Sequence, residues 1–422
     1  MTSPISVSLY LLATSAFFID LLDVMLRVYL RRRNTRPGPS NPAAAPSSRE
    51  QMPLRPFAIL ASIHNLDQAG LDRFLTAMAP HLRHLWVIDD ASTDDTWERL
   101  ERCAVRSIRG QQNRQKPAAI KALLAALPPW VETIVVVDPD TRLLNSAAEL
   151  QQIVFEFQQT GMAAVCPRIT IKRDGLLSRF QQLEYCLSFA LGRQALGDTT
   201  ITPGIAMYRR DALEYVLDRH SLSVYAEDLE NTFLLLLNGE RIYYDDRLIV
   251  ETEGMTGIRR LFSQRVGWSF GLIKVYAQHW RALMRSTNRG FTFTYQYIVY
   301  MGILVLALHP LKLIGVAVLT ISALNAMDNL AGLQIIGDTA ATNPLYAVAM
   351  YVKYTVLMAV LIPVAVPRGS RRYVLPVLPL YLFYNVWQIA PATVGYLNWI
   401  TQRLWKRRVY HDHYQSVVQQ EQ

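Results

Sequence analysis

Hydrophobic and polar positions divide the chain into a short apolar start, an alternating middle and an apolar end. Residues 5–30 are apolar apart from Asp20, Asp23 and Arg27, and a run of that length spans a bilayer. Residues 34–56 are rich in Pro, Ala and Ser and predict a flexible linker. From residue 57 onward, short apolar runs alternate with amphipathic segments. Phe57–Ile63, Leu85–Ile88, Ile134–Val137 and Ala163–Ile169 predict strands, while Asp67–Met78, a segment from Asp94 and Ser146–Gln159 predict helices. This alternation predicts a nucleotide-binding α/β sheet. Residues 256–284 repeat Arg and Trp on an amphipathic pattern that suits a helix lying in the membrane interface. Apolar stretches follow at 294–322, 345–366 and 373–396. His309-Pro310 inside the first predicts one kinked helix, with a tight hairpin as the alternative.

Composition changes this picture only in placing the middle. The 422-residue chain is 51% hydrophobic yet 18% charged, with the apolar weight at its two ends. That is the composition of a soluble domain between membrane segments. Cys103, Cys166 and Cys186 lack metal-ligand spacing and are too scattered for a disulfide framework, which fits a reducing cytosol.

The net charge of +9 gathers beside the apolar segments: Arg31–Arg33 with Arg36, Arg259-Arg260 with Arg265, Arg368 with Arg371-Arg372, and Lys406–Arg408. Such clusters mark cytoplasmic flanks and favour anionic membrane lipids. No basic stripe crosses the middle, so no nucleic-acid partner is expected. Arginines follow rather than precede the first apolar run, which predicts a retained anchor with its amino end outside. Four spans from that start leave the carboxyl end outside, whereas Lys406–Arg408 favours the cytoplasm. Either 294–322 is a hairpin or 373–396, with Pro376, Pro379, Pro391 and Gly395, is partly re-entrant or interfacial.

The chemistry centres on Asp138-Pro139-Asp140, which ends the β-branched run Ile134–Val137. Two carboxylates at the carboxyl end of a buried strand stand where open α/β sheets bind ligands. Hard oxygen donors at that spacing suit Mg²⁺ or Mn²⁺ against a diphosphate; a solvated turn is the alternative. Four further motifs surround it: Asp89-Asp90 after the second strand, Asn113–Ile120 opening a helix, Tyr225–Glu230 before a Phe/Leu-rich helix, and Gln264–Trp268 on the interface helix.

In this order the set resembles the membrane-integrated family 2 glycosyltransferases, the group that contains cellulose, chitin and hyaluronan synthases. The resemblance covers most of the chain. It implies an α/β fold, a GT-A-type nucleotide-sugar-binding domain inserted between transmembrane α-helices, and inverting transfer from a nucleoside-diphosphate sugar, a UDP-sugar foremost. Residue by residue, it implies donor binding by Asp89, Asp90, Lys116 and Asp138, and a Mg²⁺ or Mn²⁺ site at Asp138 and Asp140. Asp228 would be the general base, tuned by Glu227, although two acids at a helix start also serve as simple capping. Gly204, Gln264, Arg265 and Trp268 would form the acceptor and diphosphate gate.

The implied layout is an anchor at 1–33, a linker at 34–56, a cytosolic catalytic domain at 57–255, interface helices at 256–290, a transmembrane region at 291–400 and a basic tail at 401–422. The implied location is the inner or plasma membrane, multi-pass. The leading expectation is a processive polysaccharide synthase that extrudes a growing glycan, with homo-oligomer or secretion partners. The alternatives are transfer of one sugar to a membrane lipid and a catalytically silent assembly partner. Three departures mark a divergent branch: Gly267 stands where the Gln-x-x-Arg-Trp pattern has arginine, Gln115 stands where glycine precedes the lysine, and Ile63-His64-Asn65 lacks the usual proline. On a helix Arg265 points about 160° away from position 267 and does not replace that arginine. His64 and His309 read as structural, and Trp280, Trp387, Trp399 and Trp405 as interfacial belt residues.

Overall fold

The computed structural model describes residues 22–34, 55–103, 105–286, 290–314 and 344–412, with 316, 317, 320 and 324. Residues 5–21 of the expected anchor, including Asp20, most of the linker, the end of the 294–322 stretch and the tail beyond 412 lie outside the described residues.

Helix α1 covers 22–34. The middle of the chain then alternates: β1 (Phe57–Ile63), α2 (Gln68–Met78), β2 (Leu85–Asp89), α3 (Thr96–Glu101), β3 (Arg106–Arg109), α4 (Gln115–Ala126), β4 (Thr133–Val137), β5 (Thr141–Leu143), α5 (Ala147–Gln158) and β6 (Ala164–Ile171). It continues with α6 (Gly175–Tyr185), extended through wider π-type turns to Arg193, then β7 (Ala206–Arg209), α7 (Arg210–Arg219), α8 (Glu227–Leu237) and β8 (Ile242–Thr252). The expected strands and helices are all present, shifted by one or two residues where a cap sits. Ser146 closes a capping box with Glu149 ahead of α5, and Asp67 caps α2 through the Gly70 amide.

One eight-stranded sheet has the order β3-β2-β1-β4-β7-β6-β8-β5. β1, β2, β3 and β4 are parallel, while β7 runs antiparallel to both β4 and β6. The sheet is therefore mixed, and the β4 run is buried because helices cover both of its faces. Ile134 and Val136 face one core with Leu60, Ile120, Leu213 and Phe233. Val135 and Val137 face the other with Ile59, Phe74, Val154 and Val250. Strand order reverses between β1 and β4, so the crevice at their carboxyl ends is the topological switch point where such sheets take ligands.

The last part of the chain packs against the domain. α9 (Ile258–Arg285) is a single amphipathic helix, followed by α10 (Phe291–Ala307) and α11 (Pro344–Ala365). α12 (Arg368–Val374) leads through a tighter turn at Leu375–Leu380 into α13 (Tyr381–Trp405). Among the described residues, Arg368–Trp405 is the one helical stretch long and apolar enough to cross a membrane.

Both ends of that stretch touch the domain. Tyr373 Oη meets Ser178 Oγ at 2.5 Å, and Arg408, just beyond the far end, donates to Tyr225 Oη at 2.7 Å. Between them α13 lies against α9, closest at Gly395, where a Cβ would stand 2.7 Å from Ser269 Cβ and 2.9 Å from the Phe270 nitrogen.

Candidate active site

The loops at the carboxyl ends of β1, β2 and β4 meet the start of α4 and the start of α8 at the switch point. Asp138-Pro139-Asp140-Thr141 forms a turn in which the Thr141 amide donates to Asp138 O at 3.0 Å, with proline at the position whose φ it pre-sets. That turn sends two carboxylates from one strand end into the crevice. Thr252 Oγ1 on β8 donates to Asp140 Oδ2 at 3.3 Å. Burial pushes the Asp140 carboxyl up to about 6, Asp138 adds to the rise, and Lys116 opposes it.

Lys116 opens α4. The residue before it, Gln115, has φ +63°, the left-handed conformation that explains glycine at this place in the pattern. The turn is tied down because both Asp90 carboxylate oxygens accept from the Arg114 amide at 3.0 Å and Asn113 Oδ1 accepts from the Gln115 amide at 3.0 Å.

Lys116 Nζ then donates to Gly204 O at 2.9 Å and stands 2.5 Å from Asp138 Oδ1 and 3.6 Å from Glu227 Oε1. Burial alone would lower its pKa, but Asp138 and Glu227 outweigh burial and hold the ammonium above its ordinary range. A Cβ on Gly204 would lie 3.1 Å from Lys116 Nζ and 3.3 Å from Glu227 Oε1, so the absent side chain leaves room where Lys116, Asp138 and Glu227 converge.

The acid pair sits at the amino end of α8, where the helix dipole favours negative charge. Ala226 precedes it in the left-handed region at φ +53°, and Gly271 of α9 packs so closely that a Cβ there would stand 2.9 Å from Ala226 Cβ. Burial first, then Asp228 and Asp138, push the Glu227 carboxyl up to about 7, with Lys116 opposing. Burial raises Asp228 too, while Arg193 pulls it back. Asp228 Oδ1 accepts from the Leu229 amide at 2.9 Å, and its carbonyl accepts from Thr202 Oγ1 and Thr232 Oγ1 at 3.1 and 2.8 Å. The Thr202 hydroxyl bond, with the Thr202 amide donating to Thr232 Oγ1 at 3.0 Å, ties Thr202 to α8. Glu230 anchors the same turn from behind through Ser221, Gln278, His220 and His279. These partners outweigh burial and hold its carboxyl down to about 2.

The remaining expected residues lie further out. Asp89 is fully buried; its Oδ1 accepts from the Ser92 amide at 3.1 Å, and Arg109 Nε is 3.7 Å from Oδ2. His64 Nδ1 contacts Asp90 O at 2.9 Å, a loop-fixing role. Arg265 is buried and turned to Glu184 at 2.9 Å, to Gln264 Oε1 at 3.1 Å and to the Trp268 ring at 3.9 Å. Its guanidinium is thus committed to α9 and α6. Tyr384 Oη of α13 donates to the same Glu184 carboxylate at 2.7 Å. Sequence reasoning missed Arg193, Glu184 and Thr252, which belong to no motif and reach the site only through folding.

A divalent cation fits Asp138 and Asp140 by donor type. They are two hard carboxylates, and no cluster of three or more His, Cys, Asp or Glu able to hold a metal occurs among the described residues. That set suits Mg²⁺ or Mn²⁺, which keep waters and take phosphate oxygens. The raised Asp140 carboxyl is the mark of a desolvated like-charge pair.

Residues 63–217 match the glycosyl transferase family 2 profile. Beta-monoglucosyldiacylglycerol synthase from Nostoc sp. is 25% identical over 228 residues, covering 51% of this chain and 48% of that protein, so the chain spans about half the length of that curated relative. The mannosyltransferase PcManGT from Pyrobaculum calidifontis, solved in complex with GDP-Man and Mn²⁺, shares the fold with a TM-score of 0.57 at 16% identity, covering 95% of this chain and 100% of that one. The family 2 glycosyltransferase match is confined to residues 63–217, and the mixed α/β fold is of the GT-A type.

Proposed function

We propose that this chain is a membrane-bound, metal-dependent, inverting glycosyltransferase that moves one sugar from a nucleoside-diphosphate donor to a lipid acceptor. Residues 57–255 form its catalytic domain, on the cytoplasmic face of the membrane. The observation that carries this reading is the convergence of Asp138, Lys116 and Glu227 around Gly204 at the switch point of the sheet.

Inverting transfer is an in-line displacement at the anomeric carbon. It needs a base on the acceptor side and charge stabilisation on the diphosphate side. Asp228 takes the acceptor hydroxyl proton. Glu227 is engaged with Lys116 and so with the donor carboxylate, which leaves the base role to its neighbour. Lys116, a positive point charge freed from Asp138 by a bound donor, faces the diphosphate. Asp89 and Asp90 shape the nucleoside side of the pocket. Asp138 and Asp140 would hold Mg²⁺ or Mn²⁺, which neutralises charge on the departing diphosphate when bound. Gln264 and Trp268 close the site from α9.

Transfer of a single sugar is favoured over polymerisation. The arginine that meets the diphosphate in the synthase pattern is Gly267 here, and Arg265 is spent on Glu184. The curated relative is named as a glycolipid synthase.

Membrane binding is supported by exposed apolar side chains on the outer helices, among them Val352, Val356 and Val360 of α11 and Phe383, Ile400 and Leu404 of α13. Contact of both ends of 368–405 with the catalytic domain favours a stretch lying along the membrane surface over one crossing it. The basic residues at 406–408 then stay on the domain side, which removes the topological conflict.

The test is to incubate membranes containing the protein with Mn²⁺ and a panel of radiolabelled UDP- and GDP-sugars. Label in a solvent-extractable lipid bearing one sugar is the expected result. Label in a high-mass glycan would overturn single transfer, and no labelled product from any donor would overturn glycosyl transfer itself.

A further inference from the structure

The segment that carries Glu227 and Asp228 is gripped by residues far along the chain. Tyr225, three positions before Asp228, donates from its hydroxyl to Asp412 at 2.9 Å and accepts from Arg408 Nη1 at 2.7 Å. Arg408 also pairs with Asp412 at 3.0 Å, with the Arg408 side chain 10% exposed and that of Asp412 fully buried. The guanidinium lies over the Phe270 ring at 4.0 Å and the Tyr225 ring at 4.8 Å, and these rings meet edge to face at 5.0 Å. An arginine enclosed by two rings, a carboxylate and a phenol is a built contact, since a surface ion pair leaves its charges in water.

The strap itself is fixed at its root. Lys406 takes φ +57° and ends α13, turning the chain back toward the domain. Asn398, fully buried on α13, accepts from the Val409 and Tyr410 amides at 3.0 Å and donates to Tyr410 O at 2.9 Å. Tyr410 packs edge-on against Phe262 of α9 at 5.5 Å. One continuous set of contacts therefore runs from α13, through 406–412, to the left-handed Ala226 turn that presents the acid pair.

We infer that residues 406–412 are a positioning strap: Arg408 and Asp412 hold Tyr225, and through it set the placement of Glu227 and Asp228 toward the acceptor. Tyr225, Arg408 and Asp412 act through Asp228. Glu230 fixes the opposite side of this segment through His220 and His279, so the strap supplies the second of two grips. Because the strap grows from the apolar α13, the membrane-side helices and the catalytic acids are mechanically joined. This inference rests on the glycosyltransferase reading for its kinetic readout but not for its structural one.

The test uses the full chain in lipid nanodiscs with Tyr225→Phe and Asp412→Asn. Both keep side-chain shape, and Tyr225→Phe keeps the ring contacts with Arg408 and Phe270. Hydrogen exchange in residues 223–229 should quicken about tenfold in each, the scale of one lost charge-assisted hydrogen bond, with β1 and β4 unchanged. With the best donor from the panel, kcat should fall about tenfold while donor KM stays within about twofold, and the double variant should match the worse single one. Unchanged exchange at 223–229 in both variants overturns the strap. Faster exchange with kcat unaltered overturns the positioning role. If the wild type transfers no sugar at all, the proposed function fails while the exchange result still decides whether the strap holds the segment.

Discussion

Asp138 and Glu227 share one ammonium: Lys116 Nζ stands 2.5 Å from the first and 3.6 Å from the second. The carboxylate that ends β4 and the acid that begins α8 are thereby tied together across 89 positions of sequence. A single cation between two carboxylates lowers the cost of desolvating both. Loss of that cation would therefore change the charge felt by both carboxylates.

Lys116→Met should move the acid limb of the pH–rate profile upward by about one unit. The sign follows from the cation: Lys116 pulls down the raised Glu227 and Asp140 carboxyls, so without it they stay protonated to higher pH and less enzyme is active at pH 7. A limb that stays in place or moves down would show that Lys116 does not set these charges.

Mn²⁺ binding in the presence of a nucleoside diphosphate should strengthen as pH rises through about 6, where the Asp140 carboxyl titrates. Below that pH a proton competes with the metal. Asp138→Asn and Asp140→Asn should abolish both the Mn²⁺ binding seen by calorimetry and the transfer of sugar. Full activity in excess chelator, or binding that ignores pH, would remove the metal from the reaction.

Asp228→Asn should lower transfer by about 10²–10⁴-fold, the usual loss for a general base, with nucleoside-diphosphate affinity changed less than about tenfold. Glu227→Gln should be milder, because burial rather than Glu227 raises the Asp228 carboxyl. Kinetics that reverse the two, with Glu227→Gln dead and Asp228→Asn active, would move the base by one residue. If both variants stay active, the segment is a helix cap.

Gln115→Gly should stabilise the protein by up to about 1 kcal/mol, since glycine adopts the observed left-handed φ without a Cβ penalty, less its extra unfolded-state entropy. Gln115→Val should destabilise it, as a β-branched residue fits that conformation worst. Thermal melts decide this, and a Gly variant less stable than wild type would mean that the glutamine side chain contributes more than its backbone costs.

Much of the catalytic half was legible in the chain itself. Local pattern set β1, β2, β4 and β6 and the helices between them, because burial on both faces demands unbroken apolar runs and caps must stand at helix starts. Asp138-Pro139-Asp140 was readable because a turn after a strand is a local event, and so was the acid pair that opens α8. Tertiary structure decided what no local pattern encodes. β7 inserts antiparallel between β4 and β6, a pairing chosen by packing between segments about 40 to 70 residues apart. Arg193, Glu184 and Thr252 join the site from elements that carry no motif. The last apolar stretch reads as a span from composition alone, yet Gly395 lets it lie on α9 while Arg408 returns the chain to Tyr225. Hydropathy reports how apolar a helix is; only contacts report which surface it covers.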